Sequence, residues 1–150
     1  MKFISKDLAI KLKEKGFDKP CFGWYHITTP SGAFEGRLNL NESYYRGETY
    51  QHLLKRRINE YSPNSNLVNA PTIEQVLEWF REDKKIHISI DVLSSMNKNF
   101  MCKQEPRLLF DVRVSYFEEE VFNYHELAEP YFKYEDACIA GIEYIVEHLI

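Results

Sequence analysis

Between Ala70 and Val92 the sequence "APTIEQVLEWFREDKKIHISIDV" changes its hydrophobic period from 3.6 residues to 2, and this switch constrains the fold more than any other feature. Ile73, Val76, Leu77 and Phe80 recur at i, i+3, i+4 and i+7, which places them on one face of a helix. Thr72 and Gln75 stand at its start as a Thr-x-x-Gln pair, each side chain able to satisfy a backbone donor that the first turn leaves open. From Ile86 onward the isoleucines at 86, 88 and 90 and Val92 alternate with His87, Ser89 and Asp91, the pattern of a strand with one buried face. A capped helix that runs straight into a strand requires a mixed fold.

The flanking sequence extends this reading. Ser5 is placed to cap a helix over Lys6–Lys15, with Gly16 as its left-handed terminator and Phe17 positioned to cover Leu12. "CFGWYHITTPSGAFEGRL" reads as two strands about a Pro30-Ser-Gly turn, and Tyr50–Tyr61 has helical spacing. "SPNSNLVNAP" is rich in turn formers and reads as a loop, and residues 94–106 as another. "RLLFDVRVSYF" alternates with Leu108, Phe110, Val112, Val114 and Tyr116 on one face, and Val121–Tyr124 returns from it as a hairpin strand. The last helix begins near Tyr134, with Cys138, Ile142, Ile145 and Leu149 as a central stripe widened by Ile139, Gly141 and Val146.

Strands and helices do not alternate as βαβ units. The expected fold is therefore α+β: a largely antiparallel sheet of about five strands with three or four helices, the C-terminal helix packed on the sheet. With 150 residues, one globular domain over 1–150 is expected, large enough to bury roughly 70% of its unfolded surface. Aromatic residues make up 15% of the chain, which favours a sheet with an aromatic face.

Charge and cysteine usage bear on partners and compartment. A net charge of −4 offers no overall field for nucleic-acid phosphates. Cys21, Cys102 and Cys138 are odd in number and show no Cys-x-x-Cys spacing, which suits free thiols in a reducing cytoplasm. No apolar run of membrane-spanning length and no signal-peptide pattern occurs, so the expectation is a cytoplasmic protein without a membrane partner.

Three segments, "LKEKGFDKPCFGWY", "APTIEQVLEWFREDKKIHISI" and "YEDACIAGIEYIVEHL", together resemble a family of small uncharacterised bacterial proteins found in prophages and other mobile elements. The third is similar to that family's Tyr-Glu-Glu-Ala…Ala-Gly-Ile closing helix. The resemblance covers 51 of the 150 residues. It implies an accessory protein of a mobile element and carries no activity or functional residue with it. Lys133 departs from the pattern, which has a small capping residue there, so the helix start is expected to fray.

Catalytic patterns are missing from the sequence. It has no phosphate-binding glycine loop and no Gly-x-Ser-x-Gly elbow. The histidines at 26, 52, 87, 125 and 148 show no zinc-site spacing, so no metal, cofactor or catalytic residue is assigned. His87, Ser89 and Asp91 share a strand face, but neighbours on such a face stand about 7 Å apart and make no triad. Glu118–Glu120 read as a solvated turn and Cys138 as a core residue.

Four residues remain as candidates for binding a partner or ligand: Lys55, Arg56, Arg57 and Trp79. Lys55 and Arg56 share an outer helix face with His52. Arg57 falls inside the apolar arc, where its charge requires a carboxylate or an anionic ligand. Trp79 lies at the rim of its helix's core face, where a ring either covers a neighbouring strand, the commoner case, or anchors an interface. The leading functional expectation is a non-catalytic interaction protein that binds a host or element-encoded protein partner, with a homodimer as one form in which it acts. The alternative is an accessory protein that binds nucleic acid weakly through the basic face at residues 52–57. An enzyme with a site assembled from distant residues is the third reading.

Overall fold

The computed structural model describes residues 2–27, 36–40, 67–94, 108–118, 121–128 and 130–150. The chain divides into two compact units, Met1–Gln75 and Val76–Ile150. The α+β class holds. The single sheet of about five strands does not: among the described residues six strands form two antiparallel sheets of three.

In the first unit, helix α1 (Lys6–Glu14) starts and stops where its sequence signals stand. The Leu8 amide donates to Ser5 Oγ at 3.3 Å. At the other end the Phe17 amide donates to the Leu12 carbonyl at 2.9 Å and the Gly16 amide to the Lys13 carbonyl at 3.0 Å, with Gly16 at φ 90°. Leu12 and Phe17 are both buried, so the terminating turn also closes an apolar contact.

Strand β1 (Gly23–His26) lies between β2 (Leu38–Leu40) and β3 (Leu67–Ala70). Gly23 is demanded by close approach, because a Cβ there would stand 2.7 Å from the Asn39 carbonyl oxygen. The missed sixth strand is β3, which falls in the stretch that reads as a loop. It has four residues and includes Asn69, a poor strand former whose side-chain amide donates to the Lys19 carbonyl at 3.3 Å. Val68 and Ala70 are buried, and α1 packs on this strand. Tertiary burial therefore overrides local composition there.

The Tyr25 hydroxyl donates to the Ile4 carbonyl at 2.6 Å, which ties the N-terminal segment to β1. Burial pushes the Tyr25 phenol above its ordinary pKa of about 10. A group whose pKa rises on folding stabilises the fold fully below its unfolded pKa, and that stability is lost as pH rises through the folded one. Tyr25→Phe is expected to cost about 1 kcal/mol at neutral pH through the lost hydrogen bond. Above about pH 10 the difference should shrink, because the variant has no phenol to ionise. Urea midpoints of both proteins at neutral and strongly alkaline pH check this; a constant gap would show that Tyr25 does not carry the linkage.

The capping box at Thr72 forms in both directions. The Thr72 amide donates to Gln75 Oε1 at 3.0 Å and the Gln75 amide to Thr72 Oγ1 at 3.3 Å. Helix α2 (Ile73–Trp79) then widens into a π-helical turn, Phe80–Lys84, closed by Lys85 in the left-handed region at φ 59°. The 3.6 period extends one turn short of this ending, and the wider turn carries the chain to Ile86, whose amide donates to the Phe80 carbonyl at 3.0 Å. Among the apolar residues of the expected face, Ile73, Val76 and Phe80 are buried and Leu77 only partly.

In the second unit, β5 (Leu108–Glu118) is central, flanked by β4 (His87–Ser94) and β6 (Val121–Glu126). Helix α3 (Tyr134–His148) packs on β4 and β5. Gly141 sits where the helix meets the sheet, and a Cβ there would lie 3.0 Å from Ile88 Cδ1 and 3.2 Å from Val112 Cγ1. Ala137, Cys138, Ile142, Ile145 and Val146 of the helix are buried. Lys133 provides no side-chain cap, and Glu135 and Asp136 stand in the first turn, where they complement the helix dipole.

Candidate interaction surface

The contact of Gly141 with Ile88 and Val112 identifies the helix-covered face of the second sheet. By strand alternation and register, Ile90 and Val114 share that face, as do Val121, Asn123 and His125 of β6. The His125 ring stacks on Tyr144 of α3 at 4.4 Å between centroids and 5° between planes, which confirms the parity. The opposite face carries His87, Ser89 and Asp91 of β4, Asp111, Arg113, Ser115 and Phe117 of β5, and Phe122, Tyr124 and Glu126 of β6.

The pairing with β5 thus decides which way the side chains of β6 face. Phe122 and Tyr124 point away from the helix with Glu126, while Val121, Asn123 and His125 lie on the other face. Phe117, Phe122 and Tyr124 are 65%, 58% and 62% exposed. Phe117 and Phe122 are cross-strand partners whose rings meet edge to face at 5.5 Å. Beside them, Arg113 donates through Nη2 and Nε to Glu126 Oε1 at 2.7 and 3.1 Å. Its guanidinium carbon lies 5.6 Å from the Tyr124 ring centroid. The hydrogen bond and charge of Glu126, with a smaller contribution from Asp91, raise the Arg113 pKa, so this cation persists at every physiological pH. Among the described residues this surface combines an aromatic cluster, an exposed ion pair and open backbone.

Among the described residues β6 is an edge strand, with no strand on its outer side. The Leu127 amide donates to the Val112 carbonyl at 3.0 Å, which sets the phase of the ladder. Residues 121, 123 and 125 consequently bond toward β5, while the N–H and C=O groups of Phe122, Tyr124 and Glu126 point outward.

No protein-family model, curated protein or solved structure matches this chain. Function has to be read from the residues themselves.

Of the candidates read from sequence, Lys55, Arg56 and Arg57, with the whole Tyr50–Tyr61 segment, lie outside the described residues, as do the Pro30-Ser-Gly turn and Cys102. Trp79 is described and is only 2% exposed, which is the packed ring and not the interface anchor of the two readings its position allows. It tilts against Phe80 at 5.2 Å, with Lys84 Nζ 5.0 Å from its centroid. His87, Ser89 and Asp91 occupy three successive cross-strand rows, opposite Ser115, Arg113 and Asp111. Among the described residues no three His, Cys, Asp or Glu side chains gather as metal ligands, and no helix is long and apolar enough to cross a membrane.

The sequence carries only a faint signal of this surface. That signal is Phe117, an aromatic residue out of phase with the apolar positions of β5 and surrounded on its own face by Asp111, Arg113 and Ser115.

Proposed function

We propose that this chain is a non-catalytic, cytoplasmic accessory protein of a prophage or other mobile element that binds a protein partner through the open face of its second sheet. The mobile-element setting rests on the three segments that resemble such a family. The binding role rests on one observation: β6 directs Phe122 and Tyr124 to solvent beside Phe117, and all three rings are more than half exposed. Exposed aromatic clusters of this kind, next to an arginine, have the composition of interface hot spots. Nucleic acid is a poorer occupant for this face. From Leu108 to Ile150 the sequence holds ten acidic residues and two basic ones, Arg113 and Lys133, and such a surface repels phosphates.

The test uses a double substitution, Phe122→Ser with Tyr124→Ser. Both side chains are exposed, so thermal stability should change little, by about 1 kcal/mol or less. Affinity capture from cells that carry the gene should retain a defined polypeptide with the native chain and lose it with the double variant, a drop of about thirtyfold or more if both are hot spots. Equal retention by the two proteins would sink the reading.

A further inference from the structure

Among the described residues, β6 borders its sheet and presents an unpaired edge. Folded proteins ordinarily protect such an edge with a lysine, a proline or a bulge. Val121–Glu126 contains neither lysine nor proline, and its register with β5 is unbroken from Val121 to Glu126. Outward N–H and C=O groups at Phe122, Tyr124 and Glu126 form a bonding edge roughly 20 Å long. The side chains of the same three residues are those on the open face, so a chain paired there would meet backbone and aromatic surface together.

Charge decides what kind of chain fits. Residues 76–150 carry 15 acidic against 8 basic residues, whereas residues 1–75 carry 8 against 11. The acidic excess is concentrated on β5, β6, α3 and their connections, and Arg113 is already engaged with Glu126. A second copy paired edge to edge would bring two such acidic surfaces together. A segment rich in lysine and arginine would instead gain attraction over the whole approach.

We infer that the free edge of β6 takes up an extended, basic segment of the partner as a fourth strand, with apolar residues at alternate positions against Phe122 and Tyr124. This inference rests on the proposed interaction role and adds the partner's conformation and charge to it. Main-chain pairing supplies affinity in such strand addition, and the alternating side chains and charge supply selectivity.

The experiment titrates the full chain with three synthetic peptides of about nine residues. One alternates lysine with valine, the second replaces lysine by glutamate, and the third is the lysine peptide with the amides of one edge N-methylated. Hydrogen exchange at individual amides of the protein is followed alongside. The lysine peptide should bind about tenfold or more tightly than either of the others. Exchange at Phe122, Tyr124 and Glu126 should be fast in the free protein and slow in the complex, with residues 123 and 125 already slow. Equal affinity of the lysine and N-methylated peptides would overturn strand pairing in favour of plain charge attraction, and equal affinity of the lysine and glutamate peptides would overturn the basic partner. Slow exchange at the three outward amides in the free protein, with a dimer mass, would assign the edge to a second copy instead. If no peptide binds while the Phe122→Ser, Tyr124→Ser protein still loses its captured partner, the strand-addition inference falls and the open-face reading stands.

Discussion

Phe80→Ala is expected to remove about 3–5 kcal/mol of folding stability, the largest loss of any single substitution considered. The ring is fully buried, and it stands at the point where α2 widens into the π-helical turn. Deleting it forfeits the transfer free energy of the ring and leaves a cavity. The backbone cannot easily close that cavity, because the Phe80 carbonyl is held by the Ile86 amide at 3.0 Å. Small domains have only about 5–15 kcal/mol in total, so the variant should be marginal at room temperature. Urea unfolding followed by tryptophan fluorescence gives the difference directly, since Trp79 lies against the same ring at 5.2 Å. A loss below about 1 kcal/mol would mean that the turn does not anchor the core as described.

Gly141→Leu is expected to cost about 3 kcal/mol and to lower the melting temperature by roughly 10 °C. The Cβ alone would sit 3.0–3.2 Å from methyl groups of Ile88 and Val112, and the remaining atoms of leucine have no room between α3 and the sheet. Alanine distinguishes crowding from helix propensity. Gly141→Ala gains about 1 kcal/mol of intrinsic helix preference and requires only a small shift of two side chains, so its net effect should be slight. If leucine melted no lower than alanine, the face between helix and sheet would have to be open. Calorimetry on the three proteins measures both differences.

These two sites were not equally legible. Gly141 stands out in the sequence, because a glycine in the middle of a wide apolar helical stripe asks for a close neighbour, and Ile88 and Val112 are that neighbour. Phe80 was readable as a core position, whereas the π-helical turn that begins at it was not. A widened turn leaves no mark on the hydrophobic period until the chain resumes at Ile86.

The candidate surface was the least legible part. The sequence reads Val121–Tyr124 as a returning strand, two residues short of β6, but a strand's alternation does not say which of its two sets of side chains faces the core. That is set by register with β5, where Phe117 opposes Phe122 and Ser115 opposes Tyr124. Since a slip of one residue reverses every side chain, the direction of the aromatics was undecided until the pairing was known.

By itself, the sequence determined what local interactions control. The Thr72–Gln75 box, the Ser5 cap, the Gly16–Phe17 termination and the alternation of β4 and β5 are set within a few residues, where each donor finds its acceptor or each side chain its face. Only the tertiary structure decided the long-range choices: that Leu67–Ala70 pairs with β1 despite its composition, that the six strands among the described residues divide into two sheets with a helix on each, that Trp79 is buried, and that Phe122 and Tyr124 face outward. Each of these depends on which distant surface is available to bury against, a free energy that no short window of residues contains.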